Sequence, residues 1–192
     1  RYTLDKVQNV RPVENVVLGD PGLLLSYFVD VPSEKTNDIG LITHYEDTKL
    51  IQTYFPAELL EKVLVIDIAT NDFVGLATKI ASCRKIMSSS LHGIIFSHSM
   101  GVPAAWIRFA TTDLLPDDIK FYDYFSAIKL DGLPHCNLID REFSLNDLDT
   151  LAEIKVDWEH LQLKKEEIMQ KIVTVFFGHN YDINRRFVQF IP

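Results

Sequence analysis

The sequence predicts an α/β fold, a parallel sheet of about five or six strands with helices packed on it. Two observations carry this. Short runs rich in β-branched residues alternate along the chain with segments whose apolar residues recur every three or four positions, the pattern of strands joined by crossover helices. The 192 residues, 47% hydrophobic and 24% charged, also supply enough apolar surface for one proper core. That sets aside the disordered, collagen and disulfide-scaffold classes.

Asn15 to Leu18 is the first short apolar run, stopped by the turn residues Gly19-Asp20-Pro21-Gly22. Ile39 to Thr43 and Val63 to Ala69 read as the next strands, and Pro56 to Glu61 between them as a short helix with Pro in its first turn. Asn71-Asp72 offers an N-cap to a helix through Phe73, Leu76, Ala77 and Ile80, ending at Ser82-Cys83. Lys85 to Ser88 is then a strand, Ser88-Ser89-Ser90 a turn, and Leu91 to Met100 a helix stopped by Gly101. Ala104 to Phe109 follows as a strand. Lys120 to Ile128 has helical spacing, ended by Gly132-Leu133-Pro134-His135. From Ser144 the composition shifts toward Asp, Glu and Lys, and Glu159 to Phe176 reads as one long amphipathic helix with Gly178 beyond it. The expected division is a lobe over 1–143 and a helical C-terminal extension over 144–192 that packs on it.

Charge narrows the partners. Lys plus Arg number 19 against 27 Asp plus Glu, a formal charge of −8, which argues against nucleic acid or an anionic membrane as the partner. An anionic substrate then needs a local basic pocket. Cys83 and Cys136 have neither CxxC spacing nor the density of a secreted framework, so they read as reduced thiols of a cytoplasmic protein. Even Val63-Leu64-Val65-Ile66 is cut by Asp67, far short of the roughly 18 to 20 apolar residues of a transmembrane segment. The chain opens at Arg1 without an initiator Met or a signal stretch, so an upstream portion is expected to be missing.

The stretch Lys85-Ile-Met-Ser-Ser-Ser-Leu-His-Gly93 holds most of the chemistry. It places three hydroxyls, free backbone N–H groups and the imidazole of His92 where a strand ends and a helix begins, a ready anion site. Thr43-His44-Tyr45-Glu46-Asp47 closes another strand with an imidazole, a phenol and two carboxylates. In open parallel sheets the ligand crevice lies beyond the carboxyl ends of strands, where both stretches fall. Metal templates fail: His92 and His98 stand six apart, off one helical face, and there is no H-E-x-x-H, paired CxxC or EF-hand loop. Nucleophile-elbow, Walker and dinucleotide motifs are also missing, so neither a metal nor a cofactor is expected. The histidines remain as acid–base candidates.

Four blocks together carry a family resemblance. They are Gly19-Asp-Pro-Gly-Leu-Leu-Leu25; Ile39-Gly-Leu-Ile-Thr-His-Tyr45; Ser88-Ser-Ser-Leu-His-Gly93 with Gly101-Val-Pro103; and Lys120-Phe-Tyr-Asp-Tyr-Phe-Ser126. In this order, over roughly residues 15 to 128, the chain resembles the polysaccharide pyruvyl transferase family. The resemblance implies two Rossmann-like halves facing a cleft, this chain being similar to one lobe of a glycosyltransferase B architecture. It also implies transfer of pyruvate from phosphoenolpyruvate onto a sugar of a cell-surface or exopolysaccharide, as a cyclic ketal.

Only the later half of the family pattern is matched, so a missing N-terminal lobe is expected to supply the other wall. Some members carry Arg immediately before Leu-His-Gly, where this sequence has Ser90, so that grip on the donor must come from elsewhere. Ketal formation needs one proton delivered to the donor's methylene carbon and one taken from the sugar hydroxyl, tasks suited to imidazoles. His92 and His44 are the expected catalytic pair. Ser89, Ser90, Leu91, Gly93, Tyr45, Lys120 and Arg108 are the expected substrate-binding residues, with a saccharide or lipid-linked oligosaccharide as acceptor, at the inner face of the membrane. Two alternatives stand beside this reading: a nucleotide-sugar glycosyltransferase lobe, weakened because no Glu lies between Glu61 and Glu142, and a non-catalytic binding module.

Overall fold

The computed structural model describes residues 2–31, 34–109, 118–130, 135–137, 143–144, 147 and 155–178. Among them are five strands: β1 (Asn37–Ile42), β2 (Val63–Ile66), β3 (Cys83–Ser88), β4 (Ala104–Arg108) and β5 (His135–Asn137). They form one parallel sheet in the order β2-β1-β3-β4-β5. Ile39 of β1 pairs with Val63 on one side and Lys85 on the other. The helices are α1 (Tyr2–Gln8), α2 (Ile51–Tyr54), α3 (Ala57–Leu60), α4 (Phe73–Ala81), α5 (Leu91–Ser99), α6 (Ile119–Ala127) and α7 (Trp158–Phe177), with 3-10 turns at Pro21–Tyr27 and Thr48–Leu50.

Both faces of the sheet are buried, which is why its strands read as nearly unbroken apolar runs. Alternation divides them. Ile39, Leu41, Met87, Ala105 and Ile107 face Ile51, Phe55 and Leu59 of the α2–α3 region. Ile42, Ile86, Ala104 and Trp106 face the larger layer built by α4, α5, α6 and α7. Fully burying one such side chain contributes about 1.5–3 kcal/mol, so this two-sided packing sets the register of the strands. The α4 helix begins where Asp72 accepts the Gly75 N–H at 2.8 Å, the cap its sequence offered. Leu161, Ile168, Met169 and Val173 form the inward stripe of α7, and Gly178, at φ 85°, ends that helix.

Several sequence expectations are corrected. Asn15–Leu18 is not a strand: Asn15 takes φ 55°, and Val16 to Leu18 instead line a cavity beside Leu91 and Tyr124. Val17 and Leu18 are half-buried and Val16 is exposed, so their apolar character reflects a cavity wall and not strand pairing. The turn expected at Gly19–Gly22 opens a 3-10 helix, capped by Asp20 through the Gly22 N–H at 2.7 Å. The strand expected to reach Ala69 stops at Ile66, because Asp67 bends the chain by accepting the Ala69 N–H at 2.8 Å. Strand β5 and helices α1 and α2 are additions. The Gly132-Leu133-Pro134 stop, and residues 145–146, 148–154 and 179–192 of the C-terminal segment, lie outside the described residues.

Candidate active site

The sheet order reverses direction between β1 and β3. From β1 the chain passes to α2 and α3 on one face, and from β3 directly into α5 on the other. The two exits therefore diverge beyond the carboxyl ends of the strands, the position at which doubly wound sheets bind ligands. His44 follows β1 and His92 follows β3.

The two exits are tied together. Ser89 N–H donates to the Ile42 carbonyl at 3.1 Å, adding a step to the β1–β3 ladder. Its Oγ accepts the His44 N–H at 2.9 Å and donates to Asp47 Oδ2 at 2.6 Å. Ser89 thus fixes the backbone at His44 against the start of α5. Sequence reasoning placed Asp47 within a dense polar loop without assigning it this part, because its partner lies 42 positions away.

The other two serines are turned inward. Ser90 is buried and caps α5, accepting the Gly93 N–H at 3.4 Å. Ser88 Oγ, also buried, accepts the Ser90 N–H at 3.0 Å and donates to the Ser90 carbonyl at 2.9 Å. Gly93 is buried because the helix comes too close to the sheet for a side chain: a Cβ there would overlap Ser88 Oγ and meet Ile42 Cγ2 at 2.8 Å. What the turn offers a ligand is therefore backbone. The Leu91 and His92 N–H groups, in the first turn of α5, have no acceptor among the described residues, and the helix dipole adds partial positive charge there.

The His92 side chain is exposed and its ring centroid lies 5.7 Å from that of Phe96. His44 is half-buried, its ring 4.4 Å from Tyr45 and its Nδ1 3.7 Å from Glu46 Oε2. Tyr45 is 67% exposed and donates its hydroxyl to Glu46 Oε1 at 3.1 Å. That hydrogen bond to a carboxylate holds the phenol above its usual pKa. Both the ring and the Glu46 carboxylate are thus available beside His44.

The two expected cations differ. Arg108 is buried, its guanidinium 5.4 Å from the Trp106 ring and bonded to Asp118 Oδ2 at 2.5 Å. The strand-end position suggested a charge turned toward the ligand, whereas the structure compensates that charge inside the protein. Lys120, on the first turn of α6, lines a cavity of about 440 Å³ together with Leu91, Asp20 and Tyr124. This cavity adjoins the start of α5. Among the described residues no group of three His, Cys, Asp or Glu side chains is arranged to hold a metal ion, and no helix is long and apolar enough to cross a membrane.

The profile of the polysaccharide pyruvyl transferase family matches residues 6–109, the stretch that contains β1 to β4 and both exits. A protein of Acanthamoeba polyphaga mimivirus, described as uncharacterized, is 42% identical over 193 residues, which cover 97% of this chain and 67% of the relative. No solved structure matches the chain. Since the profile extends over more than half of its residues, the chain belongs to the polysaccharide pyruvyl transferase family.

Proposed function

We propose that this chain is one lobe of an enzyme that moves pyruvate from phosphoenolpyruvate onto a saccharide, or a lipid-linked oligosaccharide, as a cyclic ketal. The observation that carries the reading is the pair of histidine-bearing exits, tied through Ser89 at the reversal point of the sheet, within the stretch that matches the family. The lobe comprises residues 1–143, with 144–192 as its helical extension. An N-terminal lobe supplies the facing wall, and the enzyme works on the cytoplasmic side of the membrane.

In this reading the donor's negative groups meet the N–H groups of Leu91 and His92, with Lys120 alongside. The donor's methylene carbon takes a proton as a sugar hydroxyl adds to the neighbouring carbon and loses its own. A second hydroxyl then closes the ring and expels phosphate, which leaves with that hydroxyl's proton. His92 and His44 carry these transfers, and Tyr45 flanks the acceptor. Ser89, Ser90 and Gly93 hold the loops and the helix start in place.

The test is single-turnover pyruvate transfer by the full-length protein and its His92→Ala and His44→Ala variants, with folding checked by circular dichroism. Loss of a general acid or base costs about 10² to 10⁴ in rate. A variant within about threefold of wild type, well short of that loss, reassigns its histidine to structure. Unchanged donor affinity in His92→Ala and Lys120→Ala, read by isothermal titration, moves the donor site elsewhere.

A further inference from the structure

A second cavity, of about 660 Å³, lies at the opposite edge of the sheet. It is bounded by the C-terminal ends of α4 and α5, the start of α7 and the segment before β1. Its wall includes His98, whose side chain is fully buried. His98 Nδ1 lies 2.8 Å from the Tyr124 hydroxyl. Burial holds the Tyr124 phenol well above its usual pKa, so it keeps its proton; Nδ1 is its one hydrogen-bond partner among the described residues, so the hydroxyl donates there and the neutral imidazole carries its own proton on Nε2. That Nε2 has no hydrogen-bond partner among the described residues. A bare donor in a protein interior is costly and calls for an acceptor.

Two ammonium groups line the same cavity. Lys165 Nζ donates to the Ser99 carbonyl at 2.8 Å and to Ser26 Oγ at 3.2 Å. Lys35 Nζ donates to the Ala81 carbonyl at 2.7 Å. Each lysine caps the C-terminal end of a helix, and an ammonium has three protons to give. The helix ends are thereby satisfied, and what remains unmatched in the cavity is donors. Asp30, exposed at the rim, is the acidic side chain among the lining residues, and Trp158 supplies an aromatic wall.

We propose that this cavity is a second ligand site, which binds an oxyanion group, carboxylate or phosphate, through His98 Nε2 and the ammonium groups of Lys165 and Lys35, with the ligand's body against Trp158. It is separate from the site at the carboxyl edge and does not depend on the reaction assigned there. Nitrogen-detected NMR of the histidine rings tests it, with the full-length protein titrated by inorganic phosphate and, separately, by acetate. The His98 Nε2 resonance moves saturably, and the probe that binds more tightly identifies the ligand as a phosphate ester or a carboxylate. Lys35→Met, at the half-buried rim, weakens the response about tenfold or more, as loss of a charge-assisted hydrogen bond requires, while His92→Ala leaves it unchanged. A resonance that stays still with both probes overturns the proposal, as does an undiminished response in Lys35→Met. Loss of the response in His92→Ala also overturns it, by assigning the binding to the carboxyl edge.

Discussion

Replacing Gly93 by alanine sets two effects of known sign against each other. In an ordinary helix position the change favours folding by about 1 kcal/mol through backbone entropy. Here the added Cβ would overlap Ser88 Oγ and stand 2.8 Å from Ile42 Cγ2. Ser88 cannot turn away without breaking its two bonds to Ser90, and Ile42 is fully buried in a strand paired on both sides. Overpacking of this kind costs about 1–3 kcal/mol, and two lost hydrogen bonds about 1 kcal/mol each. Subtracting the helix term leaves Gly93→Ala destabilised by about 2–4 kcal/mol, measurable by urea unfolding followed by circular dichroism. Adding Ser88→Ala removes the overlapping oxygen, so the double variant recovers part of the loss and the two changes are not additive. A single variant within about 0.5 kcal/mol of wild type, or strict additivity, would refute the claim that close approach dictates this glycine.

The pKa of His98 is pulled down to about 3, first by burial and then by Lys165, whereas in the unfolded chain it is near 6.5. The native state therefore binds fewer protons than the unfolded state between those values, and stability falls as pH drops below about 6.5, with a slope of about 1.4 kcal/mol per pH unit from this group. Chemical denaturation as a function of pH should show that slope in wild type and lose it in His98→Gln. In Asp47→Ala, amide exchange at His44 should quicken while stability drops by only about 1 kcal/mol, because the Ser89 hydroxyl loses its acceptor but keeps the His44 N–H. Asp72→Ala removes the α4 cap and should cost about 1 kcal/mol in the same unfolding assay.

Much of this architecture is legible in the sequence because a sheet buried on both faces must be written as apolar runs. Helix α5 announces itself through Ser90 before it and Gly101 after it, and α4 through Asp72. The same logic misreads Asn15–Leu18, where apolar residues cover a cavity and pair with nothing in the sheet. It overlooks β5, whose His135-Cys136-Asn137 has no β-branched residue to mark it. The positions of His44 and His92 at strand ends are equally readable. The use made of the serine hydroxyls is not, since Ser88 and Ser90 bond locally while Ser89 reaches across to another loop. Arg108 shows the limit most clearly: its neutralising partner Asp118 lies ten positions on, across a connection whose path a linear pattern does not specify.

The bonds around Ser89 also rank the routes by which this protein can change. If Asp47 is exchanged first, Ser89 still accepts the His44 N–H. If Ser89 is exchanged first, both partners lose their contact in one step. Drift is therefore expected to discard Asp47 before Ser89, and the reverse order passes through a less stable intermediate sequence. Chimaeras built by crossing two relatives between these positions inherit the constraint in one direction: a parent that contributes His44 and Asp47 has to be joined to one that contributes Ser89, although the chain between them contains β2 and α4.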